Sequence, residues 1–189
     1  VSTDRAATAN VLGAVALAVA GQIPVTVTPT GGQSDSAAAT LSALYHFPGH
    51  PTVDRLGQVV GLTHSGAVRL VDRLAGTGLV ERLPGADRRS RSVRLTASGR
   101  RAARRVSDGR IAYLTSLLAG FSPAEIGALH ELLGRLMGQV VQHKRGGAWI
   151  CRMCDLQACG RAEGNCPAAN AAAIKYGMIP QGEHRHGDP

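Results

Sequence analysis

The chain has 189 residues, 21 Lys plus Arg against 13 Asp plus Glu, a net charge of +8 and only 3% aromatic side chains. That length supports one core with appendages, and the ordinary apolar fraction excludes a disordered chain. The excess cation points to a polyanionic partner. No run reaches the roughly 18 apolar residues a membrane span requires, and the first ten residues lack the basic start of a signal peptide. The expectation is a cytoplasmic protein with no membrane partner.

In chain order, residues 4–20 read as a helix, with Val11 to Ala20 as a buried segment. "GQIPVTVTPTGGQS" reads as a loop because Pro and Gly punctuate it. Ser34 or Asp35 opens a second helix over 35–46. Thr52 caps a short third helix, "VDRLGQVVG", and Thr63 caps a fourth, "HSGAVRLVDRLAGTG". "LVERLPGADRRSRSVRLT" alternates apolar and polar residues on both sides of a Pro-Gly turn and a basic tip, the pattern of a β-hairpin. Thr96 caps a long helix reaching about Leu118. "SPAE" at 122–125 is a capping box that opens a helix to about His143, whose Ile126, Leu129, Leu132, Leu133, Leu136 and Val140 recur at helical spacing. The polar end, "QGEHRHGDP", is expected to be mobile.

Two short helices joined by "GLT" have the helix-turn-helix layout, in which the start of the second helix faces base edges. That start offers Thr63, His64, Ser65, Val68 and Arg69, with Arg73 on the same flank. Leu70, Val71 and Leu74 supply the inward face. Ten of the 21 basic residues fall between Arg82 and Arg110, all of them Arg, opposed there only by Asp87 and Asp108. Arg88, Arg89 and Arg91 are expected on the exposed hairpin tip, "ADRRSR", where a guanidinium suits the narrow minor groove. Asp87 is read as orienting a neighbouring Arg.

The stretch "LGQVVGLTHSGAVRLVDRLAGTGLVERLPGADRRSRSVRLTASGRR" resembles the winged helix-turn-helix of the MarR family of bacterial transcriptional regulators. The combination "VDRL…GLVERL…DRRS…V-x-LT-x-x-G" carries the resemblance over about residues 55–101, and the flanking helices fit it over about 4–144. It implies a mainly α fold with a small β-hairpin wing, an intertwined helical dimerisation region and a homodimer on a palindromic operator in double-stranded DNA. It also implies repression relieved by a small-molecule or redox effector. Arg69, Arg73 and Arg88 are its best-supported DNA contacts, and helix 123–143 matches a dimerisation helix. Independently, the all-round apolar first helix needs a second subunit to cover it. Tyr45, His46, His50 and Tyr113 are candidates for an effector cleft, though packing or capping is the commoner role for such residues. The chain departs from some relatives in having no thiol in its first helix.

The expected organisation is an N-terminal dimerisation helix and loop over 1–34, a DNA-binding lobe over 35–100, dimerisation helices over 101–146 and a Cys-rich extension with its tail over 147–189. All four cysteines fall in that extension, in "CRMCDLQACGRAEGNC". A C-x2-C pair is a common metal half-site, and Cys159 and Cys166 can complete a four-thiolate set with Cys151 and Cys154. Gly160 and Gly164 permit the turns this needs. Zinc ranks first, an iron–sulfur cluster second and a metal-free thiol switch third. Arg152 and Arg161 favour thiolates, and His143, His184 and His186 are reserve ligands. No catalytic constellation is visible, so an enzyme is not expected. The rival reading is a metal-binding or redox protein, an enzyme or a trafficking protein, whose basic helices serve no DNA.

Overall fold

The computed structural model describes residues 4–27, 35–47, 49–84, 91–143 and 150–177, the side chains of 24–27 excepted. It is mainly helical, with one hairpin: α1 Arg5–Val27, α2 Asp35–His46, α3 Val53–Val60, α4 His64–Gly76, β1 Val80–Pro84, β2 Arg91–Leu95, α5 Ala97–Ser116, α6 Pro123–His143 and α7 Pro167–Tyr176. Ser34, the hairpin tip 85–90 and the tail from 178 fall outside the described residues, and with them Asp87, Arg88, Arg89, His184 and His186.

The helix starts follow the sequence signals. Thr52, Thr63 and Thr96 each sit in extended backbone, and each side-chain oxygen accepts the amide of the third residue on, Arg55, Gly66 and Gly99. This satisfies a donor that the first helical turn leaves open. Before α6, Ser122 Oγ accepts the Glu125 amide at 3.4 Å while Glu125 Oε2 accepts the Ser122 amide at 2.8 Å. That reciprocal capping box holds the Glu125 carboxyl below its ordinary range, chiefly through the Ser122 amide.

The core of the lobe joins α2 through α5. Leu41 from α2, Leu56 from α3, Ala67, Leu70, Val71 and Leu74 from α4, Val80, Val93 and Leu95 from the hairpin, and Ala102 and Ala103 from α5 form one buried cluster. Gly57 lets α4 come close to α3: a Cβ there would stand 3.1 Å from the Ala67 Cβ. The strands pair antiparallel, with Val80 opposite Leu95 and Pro84 opposite Arg91. A bridge from Thr52 to Ser92 ties α3 to the hairpin. The "LT-x-x-G" pattern has a physical reading here. Thr96 Oγ1 reaches the Gly78 carbonyl at 2.7 Å, its amide donates to the Leu79 carbonyl at 3.1 Å, and Gly99 backs onto that same carbonyl where no Cβ fits.

Three features differ from the sequence expectation. First, α1 continues to Val27, through Pro24, rather than ending near residue 20; a proline near a helix end removes one amide donor but leaves the preceding turns intact. Second, Val11 to Ala20 is not buried within the chain. Val11 is 60% and Leu17 78% exposed, because α1 meets the rest of the described chain mainly along α5 and, more lightly, α2. Arg5–Ile23 also has mean hydropathy 1.6 over a stretch long and apolar enough, by length and composition, to cross a membrane. The ten-residue apolar run understated it because Ala, Thr and Gly on either side do not interrupt the average. Third, α7 follows the last cysteine. Its signals were present: Pro167 at the first helical position, an Ala-rich body, and Gly177 at φ +62° closing it in left-handed backbone.

Along α6, Gly134 and Gly138 face Pro167 and Ala171 of α7, so the two helices pack through small residues. Lys175 Nζ donates to the Val141 and Gln142 carbonyls at 2.7 Å each, closing the C-terminal end of α6. Ile126, Leu132, Leu133, Leu136 and Val140 of α6 remain exposed.

Candidate nucleic-acid interface and four-cysteine site

Helix α4 divides as its sequence demands. Leu70, Val71 and Leu74 enter the core, while His64, Ser65, Arg69 and Arg73 are exposed and Val68 lies between the two faces. Thr63 is spent on the cap, so its hydroxyl serves the helix first. The His64 Nδ1 is hydrogen-bonded to Asp54 Oδ1 of α3, and the side chain is otherwise exposed. Asp54 was missed by the sequence reading; its only local signal is its position next to the cap of α3. Arg69 Nε donates to the Ser65 carbonyl at 3.3 Å, so this side chain is partly ordered along the helix. Arg69 and Arg73 line an open cleft of about 440 Å³ with Ser36, Leu62, Gly66 and Leu70.

Arg91 begins β2 on the exposed side of the hairpin. With Arg82, Thr52, Asp54, His64 and Val68 it lines a second cleft of about 280 Å³, so the wing base and the start of α4 present one surface. Arg82 is held at 2.8 Å by Asp72 of α4, a cross-link between helix and wing that the sequence reading also missed. Arg94 and Glu81 pair across the strands at 2.8 Å. Their hydrogen bond lowers the Glu81 pKa and raises that of Arg94.

Of the effector-cleft candidates, His46 Nε2 is hydrogen-bonded to Ser107 Oγ of α5 at 2.9 Å. Burial lowers its pKa most, Asp155 opposes and Arg110 reinforces the lowering. Tyr45 sits edge-on to it. His50 is exposed and Tyr113 half-buried.

The cysteines lie far along the chain from this surface and fold into a compact loop. Cys151 and Cys166 are buried, Cys154 and Cys159 half-buried, and no disulfide joins them. All four share one apolar cluster with Phe47, Met137, Val141, Ile150 and Ala168. Gly160 and Gly164 both adopt left-handed backbone, and the Asn165 amide returns to the Gly160 carbonyl at 2.8 Å; these turns carry Cys166 back toward Cys159. The sulfurs act on one another across the set, most strongly between Cys151 and Cys154. A hydrogen bond from Cys151 brings the Cys154 thiol down to about 6, helped by Arg110, Arg161 and Arg152 and opposed by burial. The same bond, with burial, pushes Cys151 far up. Burial and the neighbouring Cys166 push Cys159 up to about 11. Arg161 Nη1 points at Cys151 Sγ from 3.9 Å. Among the described residues no group of three or more His, Cys, Asp or Glu closes around a metal-sized centre. The loop gathers four sulfurs, apolar walls and three guanidinium groups that offset thiolate charge.

A helix-turn-helix whose second helix is exposed at its start, followed by a two-stranded wing, defines a winged helix-turn-helix lobe. Residues 32–90 match the model described as "MarR family". The solved structures agree on the fold. RV1404 from Mycobacterium tuberculosis is similar at 23% identity and TM-score 0.63, covering 72% of this chain and 94% of its own. Streptococcus pneumoniae FabT in complex with DNA is similar at 19% identity and TM-score 0.63, covering 75% and 100%. A MarR family protein from Bacillus stearothermophilus is similar at 25% identity and TM-score 0.62, covering 74% and 99%. No curated protein sequence matches the chain.

Proposed function

We propose that the chain is a sequence-specific, dimeric DNA-binding transcriptional regulator, a repressor by the mode usual for the resemblance, whose cysteine loop is a metal or redox sensing site. The observation that carries the reading is the surface shared by α4 and the wing. His64, Ser65, Arg69 and Arg73 stand exposed on one helix, with Arg91 beside them, on a lobe that matches the MarR family. The FabT structure, similar in fold, is a complex with DNA. Arg suits both roles required, a planar fork for a guanine edge and a permanent charge for phosphate. The reading is of a binding protein rather than an enzyme, working in the cytoplasm.

The dimer rests on exposed apolar surface. Val11, Leu12, Val15 and Leu17 of α1 and Ile126, Leu132, Leu133, Leu136 and Val140 of α6 are uncovered in the single chain. Covering such side chains is worth about 1 kcal/mol or more apiece, on the order of the whole stability of a domain. A second copy supplies that cover with two-fold symmetry and sets two recognition helices about one DNA turn apart.

Zinc is the preferred occupant of the loop, held by Cys151, Cys154, Cys159 and Cys166. As a bound ion it would supply structural cross-linking of a segment too short for its own core. The chain's own contribution is to bury the sulfurs, turn at Gly160 and Gly164, and offset charge with Arg110, Arg152 and Arg161. An iron–sulfur cluster or free thiols would use the same residues, and metal analysis with a visible spectrum of anaerobically purified protein separates the three.

The DNA reading is tested by titrating labelled duplexes across salt concentrations. The expected result is a steep fall of affinity with salt and a preference for particular sequences. Salt-insensitive binding without preference would reject it.

A further inference from the structure

Helix α6 packs appreciably against α7 alone among the described elements, whereas α2 packs against α1, α3, α4, α5 and β2. The cysteine loop touches both groups. On one side, Cys151 and Cys166 cluster with Val141 of α6 and Ala168 of α7. On the other, Phe47, the residue after α2, enters that same cluster. Met153, between the first two cysteines, packs with Ala38 of α2, Val106 of α5 and Ile23 of α1. Asp155, directly after Cys154, stands 3.8 Å from His46 Nδ1, and His46 is bonded to Ser107 of α5. The carboxylate also accepts the Gln157 and Ala158 amides at 2.9 and 3.2 Å, which fixes the turn that carries it.

We propose that the cysteine loop is a latch that fastens the α6–α7 pair to α2 of the DNA-reading lobe, through Phe47 and Met153, and that the state of the four sulfurs sets how tightly the latch closes. The inference rests on reading the four cysteines as a sensing site. A loop of this size has too little apolar surface to hold its shape alone. Drawing four sulfurs onto one centre, or pairing them by an added thiol oxidant that takes two hydrogens per disulfide formed, changes where Met153 and Phe47 are gripped. Because α2 also supplies Ala37 and Leu41 to the lobe core beneath α4, a change in its seating reaches the recognition helix through packed side chains rather than through a loop.

The test is hydrogen–deuterium exchange of the full chain, read by peptide, with no DNA present. Four conditions are compared: reduced and metal-free, reduced with zinc, treated with diamide, and reduced again. The expected result is that zinc slows exchange at 151–166 and, about tenfold, at 38–47 and 103–110, while diamide alters the same segments reversibly. In Met153→Ala and Phe47→Ala the change at 151–166 persists and the change at 38–47 falls to less than about twofold. Both variants leave every cysteine in place, so retained zinc stoichiometry shows that the site still forms. A wild-type response confined to 151–166, or a response at 38–47 that survives in both variants, would overturn the latch and leave the sensing site standing. No response anywhere to zinc or to diamide would overturn the sensing site and the latch together.

Discussion

Gly99, at the start of α5, lies against the backbone carbonyl of Leu79, at the entry to β1, with no room for a Cβ between them. Leu79 O also accepts the Thr96 amide. The wing and α5 therefore meet backbone to backbone, and this seam fixes how the hairpin stands beside α4. Gly99→Ala has to force the seam apart, and overpacking of this kind costs about 1–3 kcal/mol. Thermal unfolding should show a clear drop in Tm. Gly76→Ala meets open space at the end of α4 and should change stability by less than about 1 kcal/mol. Equal behaviour of the two variants would contradict the seam.

Arg69 and Arg91 should fail differently. Arg69→Ala removes a side chain from the reading helix and should cost about 1–3 kcal/mol on a preferred duplex while flattening sequence preference. Arg91→Ala, at the base of the wing, should weaken binding to all sequences alike and reduce the salt slope by about one. Anisotropy titrations on matched and scrambled duplexes separate them, and circular dichroism checks that both remain folded.

Cys154 is the thiol to watch in reduced, metal-free protein. Its pKa is depressed to about 6 by the Cys151 hydrogen bond and then by three Arg, so its thiolate appears as pH rises through about 6. Cys159, raised to about 11, stays protonated at neutral pH. Iodoacetamide should therefore label Cys154 first at pH 7, with a rate that falls as pH drops below 6, since the thiolate is the nucleophile. Peptide mapping that finds Cys159 labelled first would contradict this electrostatic picture.

Leu17→Asp and Leu133→Asp place a charge on the uncovered faces of α1 and α6. If a second copy covers these faces, sedimentation should show the wild type as a dimer and each variant shifted toward monomer or aggregate, since burying an unpaired carboxylate is strongly unfavourable. Flotation of the wild type with lipid vesicles, and no dimer in their absence, would instead assign α1 to a membrane.

The lobe was legible in the sequence because its signals are local. Thr52, Thr63 and Thr96 announce their helices through a side chain and an amide three residues on, and the alternation from Leu79 to Leu95 marks the hairpin. Arg69 and Arg73 could be assigned to the outer face of α4 because Leu70, Val71 and Leu74 had to be inside. What escaped depends on contacts distant in sequence. Asp54 holding His64 and Asp72 holding Arg82 are pairings between elements, which periodicity does not report. Helix α7 escaped because its Ala-rich body shows no apolar period, although Pro167 stands at its first position. The exposure of α1 follows from a surface that one chain leaves uncovered. The contacts proposed at Arg88 and Arg89 lie outside the described residues.

The most direct test of the account is selection of duplexes from a random library by the purified chain, followed by footprinting. The expected result is enrichment of a palindrome with two half-sites about ten base pairs apart, lost when Arg69 is replaced by Ala. A library that emerges unenriched, from protein shown to be folded and dimeric, would contradict it.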